Sequence, residues 1–266
     1  MSLTRLPNKP LTRDLTVASS PFIRNQSAGG GGGAAPDPTF ANTVMVQSNF
    51  EGTEDALVGE ADDKHATSWT SGGATYQDTG AGALFGSNRA YISNITNWIG
   101  VASGAVDINT QDFAVEAIVE LFDITASRPI AASRATGATN KSWELWWDQS
   151  ANELVWEDFT DGNIGTKAQI RWSFTPVAGT VYEIAVGRDT NGIRCLVDGV
   201  QIGADQAHAV DIFWKSGLHV FLGFNNDSDD VRYGKNYYDC FRFTVGECHI
   251  VANYTARTGS DPYPTS

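Results

Sequence analysis

The sequence predicts an all-β, two-sheet antiparallel sandwich preceded by an extended arm, and three segments carry most of that prediction. Residues 112–121, Asp-Phe-Ala-Val-Glu-Ala-Ile-Val-Glu-Leu, alternate apolar with polar or small side chains up to Val119 and include β-branched residues, the mark of a strand with one buried face. Residues 192–202, Gly-Ile-Arg-Cys-Leu-Val-Asp-Gly-Val-Gln-Ile, read as a strand running into an Asp-Gly turn. Residues 237–245, Tyr-Tyr-Asp-Cys-Phe-Arg-Phe-Thr-Val, alternate again.

The N-terminal segment 1–28 holds Pro7, Pro10 and Pro21 and has no sustained helical or strand period, so it reads as an extended arm. It is too apolar for a pure linker. Leu3, Leu6, Leu11, Leu15, Val17, Phe22 and Ile23 would each contribute roughly 1.5–3 kcal/mol if fully buried on a partner. Five consecutive glycines, Gly29–Gly33, followed by Ala-Ala-Pro-Asp-Pro, make 29–38 a hinge with a stiffer end. The body is expected over 39–257, and a proline-containing extended tail over 258–266.

Within the body, short alternating runs separated by turn-rich stretches place strands near 43–50, 67–76, 88–94, 112–121, 128–134, 142–148, 153–159, 166–174, 180–188, 192–198, 217–224 and 237–245. Residues 97–105 are expected to hold at most a turn of helix, weakened by Gly100 and Gly104. Lys141–Asp148 and Glu153–Phe159 form a hairpin across 149–152. The period of two puts Trp143, Leu145 and Trp147 on a core face, and Glu144, Trp146 and Asp148 on the outward one.

A chain of 266 residues, 41% hydrophobic, can bury a large single core. No apolar run is long enough for a membrane helix, and the N-terminus lacks the apolar stretch of a secretory signal, so a cytosolic origin is expected. Cys195, Cys240 and Cys248 are odd in number and lack metal-site spacing, so free thiols are expected. The net charge of −13 is unevenly spread. The arm has four basic residues against one acidic, leaving 14 basic and 30 acidic for the rest. The acidic body argues against nucleic acid and anionic membranes, whereas the basic arm suits an acidic protein surface.

Taken in order, Asn49-Phe-Glu-Gly52, Asn88-Arg-Ala-Tyr-Ile92, Asp112-Phe-Ala-Val-Glu116, Trp143-Glu-Leu145, Leu196-Val-Asp-Gly-Val200 and Tyr238-Asp-Cys-Phe-Arg-Phe243 resemble the motifs of laminin-G-like, concanavalin-A-type jelly rolls over about residues 42–256. The pattern is most similar to the version in tailed-bacteriophage virion proteins, where a segment like His249–Ala256 follows the last strand. The resemblance implies a jelly roll in a family of glycan binders, structural virion modules and some hydrolases, so fold leaves function open. It also implies a role for the arm. Leu3, Arg5, Leu6, Lys9, Leu11, Arg13, Leu15, Phe22, Ile23 and Arg24 would dock the chain on a capsid or tail lattice, as decoration and tail-accessory proteins do.

No Glu-x-Asp-x-Glu run of the kind glycoside hydrolysis uses on this fold is present. Glu116 and Glu120, and Glu157 with Asp158, read as solvated or rim carboxylates, and the four histidines, 65, 208, 219 and 249, have no metal-spaced partner. Asn225-Asn-Asp-Ser-Asp-Asp230 offers hard oxygen ligands in Asn225, Asp227, Asp229 and Asp230, suited to Ca²⁺ or simply to an acidic turn. Of the eight tryptophans, Trp146 and Trp214 are the expected exposed sugar-stacking candidates, and most of the others core. The expectation is therefore a non-enzymatic virion protein, assembled in the host cytoplasm. It would be anchored by its arm to major capsid or tail proteins, many copies on the lattice, and would display a jelly roll for host-surface or glycan adhesion. Capsid decoration is preferred over a tail position. The alternatives are a soluble lectin with an incidental arm and, behind it, a glucanase-type enzyme.

Overall fold

The computed structural model describes residues 43–48, 70–72, 75–79, 88–92, 98–102, 108–135, 140–214, 218–226, 231–250 and 252–254. Seventeen strands are present among them: β1 (Thr43–Ser48), β2 (Thr70–Gly72), β3 (Thr75–Thr79), β4 (Asn88–Ile92), β5 (Trp98–Ala102), β6 (Phe113–Leu121), β7 (Arg128–Ala135), β8 (Lys141–Asp148), β9 (Glu153–Phe159), β10 (Lys167–Ser173), β11 (Val181–Asp189), β12 (Gly192–Val197), β13 (Val200–Gln206), β14 (Leu218–Leu222), β15 (Phe224–Asn226), β16 (Val231–Tyr233) and β17 (Asn236–Val245). One sheet, here sheet A, runs β13-β12-β11-β6-β17-β4-β3, with β1 also paired to β17. Sheet B runs β10-β9-β8-β7-β14-β5-β2, and β15-β16 form a small separate hairpin. The chain passes repeatedly from one sheet to the other, the arrangement of a two-sheet jelly roll.

The alternation in β6 produces this architecture directly. Phe113, Val115, Ala117, Val119 and Leu121 face the core, which they share with Trp143, Leu145 and Trp147 of β8 in the opposing sheet. At its centre Trp156 stacks on Trp143 with ring centroids 5.2 Å apart and on Phe113 at 5.0 Å. The Asp-Gly turn forms as expected, with Asp198 at φ 51° and Gly199 at φ 76°, the left-handed pair a tight hairpin between β12 and β13 requires.

Three expectations are corrected. Residues 98–102 are a strand, β5, not a turn of helix, because pairing with both β14 and β2 outweighs local propensity. Gly100 has a use there: a Cβ at this position would lie 2.7 Å from the Phe221 ring on β14. The run 67–76 is split, β2 joining sheet B and β3 joining sheet A. The paired carboxylates are not solvated: Glu116, Glu120, Glu157 and Asp158 are all buried.

Polar links hold the layers in register. Pro129 in β7 has no N–H to give a neighbour, and the strand bulges beside it. Across the sandwich, Asn236 Nδ2 donates to the Pro129 carbonyl at 2.8 Å and the Tyr238 hydroxyl to that of Ile130 at 2.8 Å. At the other end Arg188 gathers three carbonyls, Asn109 (2.8 Å), Gln111 (2.6 Å) and Val210 (2.9 Å), tying two connections to the end of β11. Asp158 accepts from Trp156 Nε1 at 3.0 Å and lies 2.5 Å from His208 Nε2.

After β17 the chain crosses the outer face of sheet A as a strap. Cys248 and Ile250 pack on Ala114, Ala185 and Leu196, and Arg194 donates to the Ile250 carbonyl while also pairing with Asp189 and Asp205. The approach is close, for a Cβ at Gly187 would lie 2.6 Å from Cys248 Sγ. The three cysteines are free and buried.

Candidate functional site

At the end of sheet A where β6 finishes and β17 begins, the strand period gathers aromatic and charged side chains on the outer face. Asn236 and Tyr238 point inward, so Tyr237 points outward; on β4, Ala90 and Ile92 are buried, so Arg89 and Tyr91 point outward. Tyr237 stands between Glu120 of β6 and Tyr91 of β4 in direct cross-strand register. The Tyr91 and Tyr237 rings stack with centroids 4.4 Å apart. Phe122, the first residue beyond β6, sets its edge against both, at 6.2 Å from Tyr91 and 5.7 Å from Tyr237.

Charge is concentrated beside the rings. The Arg89 guanidinium carbon sits 3.7 Å from the Tyr237 ring centroid, and its Nη1 donates to Glu120 Oε2. Tyr237 is thus sandwiched between a cation and a second ring. On its far side β17 exchanges partners, β4 along 236–238 and β1 along 240–244, with a shift at Asp239. On the outer face, Arg89, Ile118, Glu120, Val181, Tyr237 and Asp239 surround a dimple too small to admit a water molecule. Phe122 remains 50% exposed at the rim, a large apolar ring presented to solvent beside polar groups.

The rim is held firmly. Asp123, next to Phe122, accepts from Thr125 N at 2.9 Å and from Thr125 Oγ1 at 2.6 Å, and pairs with Lys235 and Arg128, each at 2.9 Å. The Thr125 hydrogen bonds, then Lys235 and Arg128, hold its carboxyl well below the usual carboxylate range. Gly179 N donates to the Leu121 carbonyl at 3.3 Å, which brings the β10–β11 connection and exposed Val177 to the same end.

The residues singled out by sequence fall elsewhere. Trp146 does point away from the core, but it is only 6% exposed. It lies mid-sheet between Pro129 and Val155, with the Arg171 guanidinium 5.8 Å over its ring, so neighbours cover what the outward direction alone would expose. Trp214 is half-buried in the connection after β13, with Nε1 shielded from solvent and without a hydrogen-bond partner among the described residues. Asn225 belongs to β15, opposite Arg232 of β16, while Asp227, Asp229 and Asp230 lie outside the described residues. Among the described residues no three His, Cys, Asp or Glu side chains converge on a point that would hold a metal ion. The docking-arm residues, Leu3 to Arg24, and the hinge lie outside the described residues.

The cluster that does converge, Arg89, Tyr91, Glu120, Phe122 and Tyr237, was partly visible in the sequence. Alternation at 236–238 sets Tyr237 on the face opposite Tyr238; nothing local says that Tyr91, nearly 150 residues earlier, lies beside it.

Comparison with known proteins matches residues 94–243, more than half of the chain, to the laminin G family described as the concanavalin A-like lectin/glucanases superfamily. A search of curated proteins finds no match. Among solved structures, the botulinum neurotoxin serotype D binding domain superposes with a TM-score of 0.57 at 13% identity, over 79% of this chain and 50% of that one. The binding domain of botulinum neurotoxin DC, in complex with rat synaptotagmin II, gives 0.55 at 10% identity, over 77% and 48%. Domain 4 of AbnA, a GH43 extracellular arabinanase from Geobacillus stearothermophilus, in complex with arabinotriose, gives 0.54 at 16% identity, over 79% and 95%. The chain therefore spans about half the length of the toxin domains and nearly all of the arabinanase domain. At these identities the likeness is one of fold.

Proposed function

The chain belongs to the concanavalin A-like lectin/glucanases superfamily, and from that premise we propose that it is a non-catalytic saccharide-binding module, carried on the virion of a tailed bacteriophage by its N-terminal arm. The observation that carries the saccharide reading is Phe122, an exposed ring set edge-on against two stacked tyrosines, with the Asp123–Lys235 pair beside it. The C–H face of a sugar ring packs on such a surface, and fixed polar neighbours set its orientation. The arabinotriose held by the similar arabinanase domain supports the reading.

The commitments of the buried carboxylates support the absence of catalysis. Glu116 is tied to Arg242 and His249, Glu120 to Arg89, Glu157 to Lys167 and Gln169, and Asp158 to Trp156 and His208. Glycoside hydrolysis needs two carboxyl groups flanking a sugar bond in an open cleft.

The arm's interleaved leucines and arginines, followed by five glycines, support the virion reading. Apolar burial would hold the arm on major capsid or tail proteins, with a decoration site on the capsid preferred, and its positive charge would steer the approach. Many copies on one lattice convert weak sugar binding into avidity.

A glycan array with the full chain and with Phe122→Ala tests the first part: binding that falls at least tenfold in a folded variant is expected, and no binding by the full chain overturns it. Deleting residues 1–28 tests the second. The remainder is expected to stay folded and to stop co-sedimenting with particles; normal occupancy of particles would leave a lectin with an incidental arm.

A further inference from the structure

We propose that Lys235 is the polar half of the Phe122 site and selects a vicinal diol, donating two N–H groups to adjacent hydroxyls of a saccharide packed on the ring, an inference that rests on the saccharide-binding reading above. Strand register brings the two residues together. Asn236 of β17 stands opposite Leu121 of β6, and both are buried. The next step along the pair therefore sets Lys235 opposite Phe122, with both side chains on the outer face. One is a ring in a residue 50% exposed, and the other an ammonium-bearing side chain 45% exposed.

Lys235 differs from the two neighbouring cations in having donors to spare. Arg128 is withdrawn from solvent, with Nη2 on the Asp123 carboxylate and Nε donating to the Asp123 carbonyl. Arg89 is engaged by Glu120 and by the Tyr237 ring. Lys235 makes one hydrogen bond among the described residues, to Asp123 Oδ2 at 2.9 Å, and an ammonium carries three N–H groups, so two remain for a ligand. Asp123 fixes the ammonium and has no capacity left for the sugar. Thr125 N and Oγ1 donate to its Oδ1, and Lys235 and Arg128 pair with its Oδ2, which fills the four acceptor positions of a carboxylate. Asp123 is thus a positioning residue, and the hydrogen bonds to sugar come from Lys235. A pyranose laid on Phe122 by its C–H face carries its hydroxyls around its edge, where the neighbouring ammonium meets them. Two donors on one nitrogen suit two oxygens on adjacent carbons, and a charged donor makes each bond a strong one.

The test titrates the full chain and Lys235→Met with short oligosaccharides of glucose, galactose, mannose and arabinose, with their monodeoxy analogues, and with sialylated and uronic-acid glycans at low and at physiological salt. Lys235→Met keeps the length of the side chain and removes its N–H groups. It is expected to bind the same neutral oligosaccharide roughly tenfold more weakly. Its melting temperature is expected to fall by no more than about 2 °C, since an ion pair with a half-exposed lysine adds little to stability. Removing either of two adjacent hydroxyls is expected to weaken binding to the full chain by a similar factor and binding to Lys235→Met by less than about twofold, the non-additivity of a direct contact. Unchanged binding in Lys235→Met, with Phe122→Ala still weakened, would overturn the assignment of Lys235 and leave the saccharide reading standing. Lys235-dependent binding confined to acidic glycans and weakening as salt rises would overturn the diol in favour of a carboxylate. Failure of every glycan to bind would overturn the saccharide reading itself.

Discussion

Arg242 Nε donates to Glu116 Oε2 at 2.5 Å across the β17–β6 pair, and both side chains are withdrawn from solvent on the outer face of sheet A. His249 from the strap closes over them, with Nε2 at 2.8 Å from the same oxygen. A carboxylate that alternation marks simply as outward is thus the anchor of the C-terminal segment.

Breaking this pair from one side strands a buried charge. Glu116→Leu is expected to cost about 3–5 kcal/mol, whereas Glu116→Leu with Arg242→Leu loses much less. Chemical denaturation of the single and double variants measures the difference, and equal losses in both would contradict it.

Trp146→Ala is expected to act on stability. Removing a buried indole from mid-sheet costs about 3–5 kcal/mol. Saccharide binding by the folded fraction is expected to stay unchanged, because Trp146 lies on sheet B and Phe122 beside sheet A. Denaturation midpoints paired with glycan titrations separate the two effects.

Asp123 gives stability a pH dependence of defined sign. Its carboxyl is held well below the ordinary value of 3.8, so its contribution is complete above that pH and fades as the pH falls from there toward the lower folded value. Asp123→Asn is expected to lower Tm by about 2–4 °C at pH 7, the shift that follows from losing roughly 1 kcal/mol in a domain of this size. Melts repeated down to pH 2.5 should show the gap closing, and a gap constant with pH would refute the assignment.

The thiols are expected to be inert in the native protein. Burial pushes the Cys248 thiol up to about 12 and raises that of Cys195 as well, so neither supplies thiolate at neutral pH. An aromatic disulfide reagent should leave both unmodified until denaturant is added. Rapid labelling of the native chain would show that the strap lifts from Gly187.

Period two was enough to place most of the strands and both of their faces. The hairpin at 149–152, the Asp-Gly turn and the Trp143-Leu145-Trp147 core stripe follow from local sequence, because each is decided by neighbours within a few residues. Strand β5 escaped notice, since its pattern is short and its stability comes from β14 and β2 on either side. Exposure escaped too. Period two gives the direction of Trp146 and Glu116 but not what neighbouring strands and the strap lay over them.

The sequence by itself determined the all-β class, the two-sheet sandwich and its core stripes, for these follow from alternation along single strands. Only the tertiary structure decided where a surface is left open and what stands on it. Tyr91, Tyr237 and Phe122 meet because β4, β17 and β6 are neighbours in one sheet, and Arg89 is neutralised because the same pairing brings it to Glu120. Cross-strand contacts between residues far apart in the chain depend on strand order, and no local period encodes it.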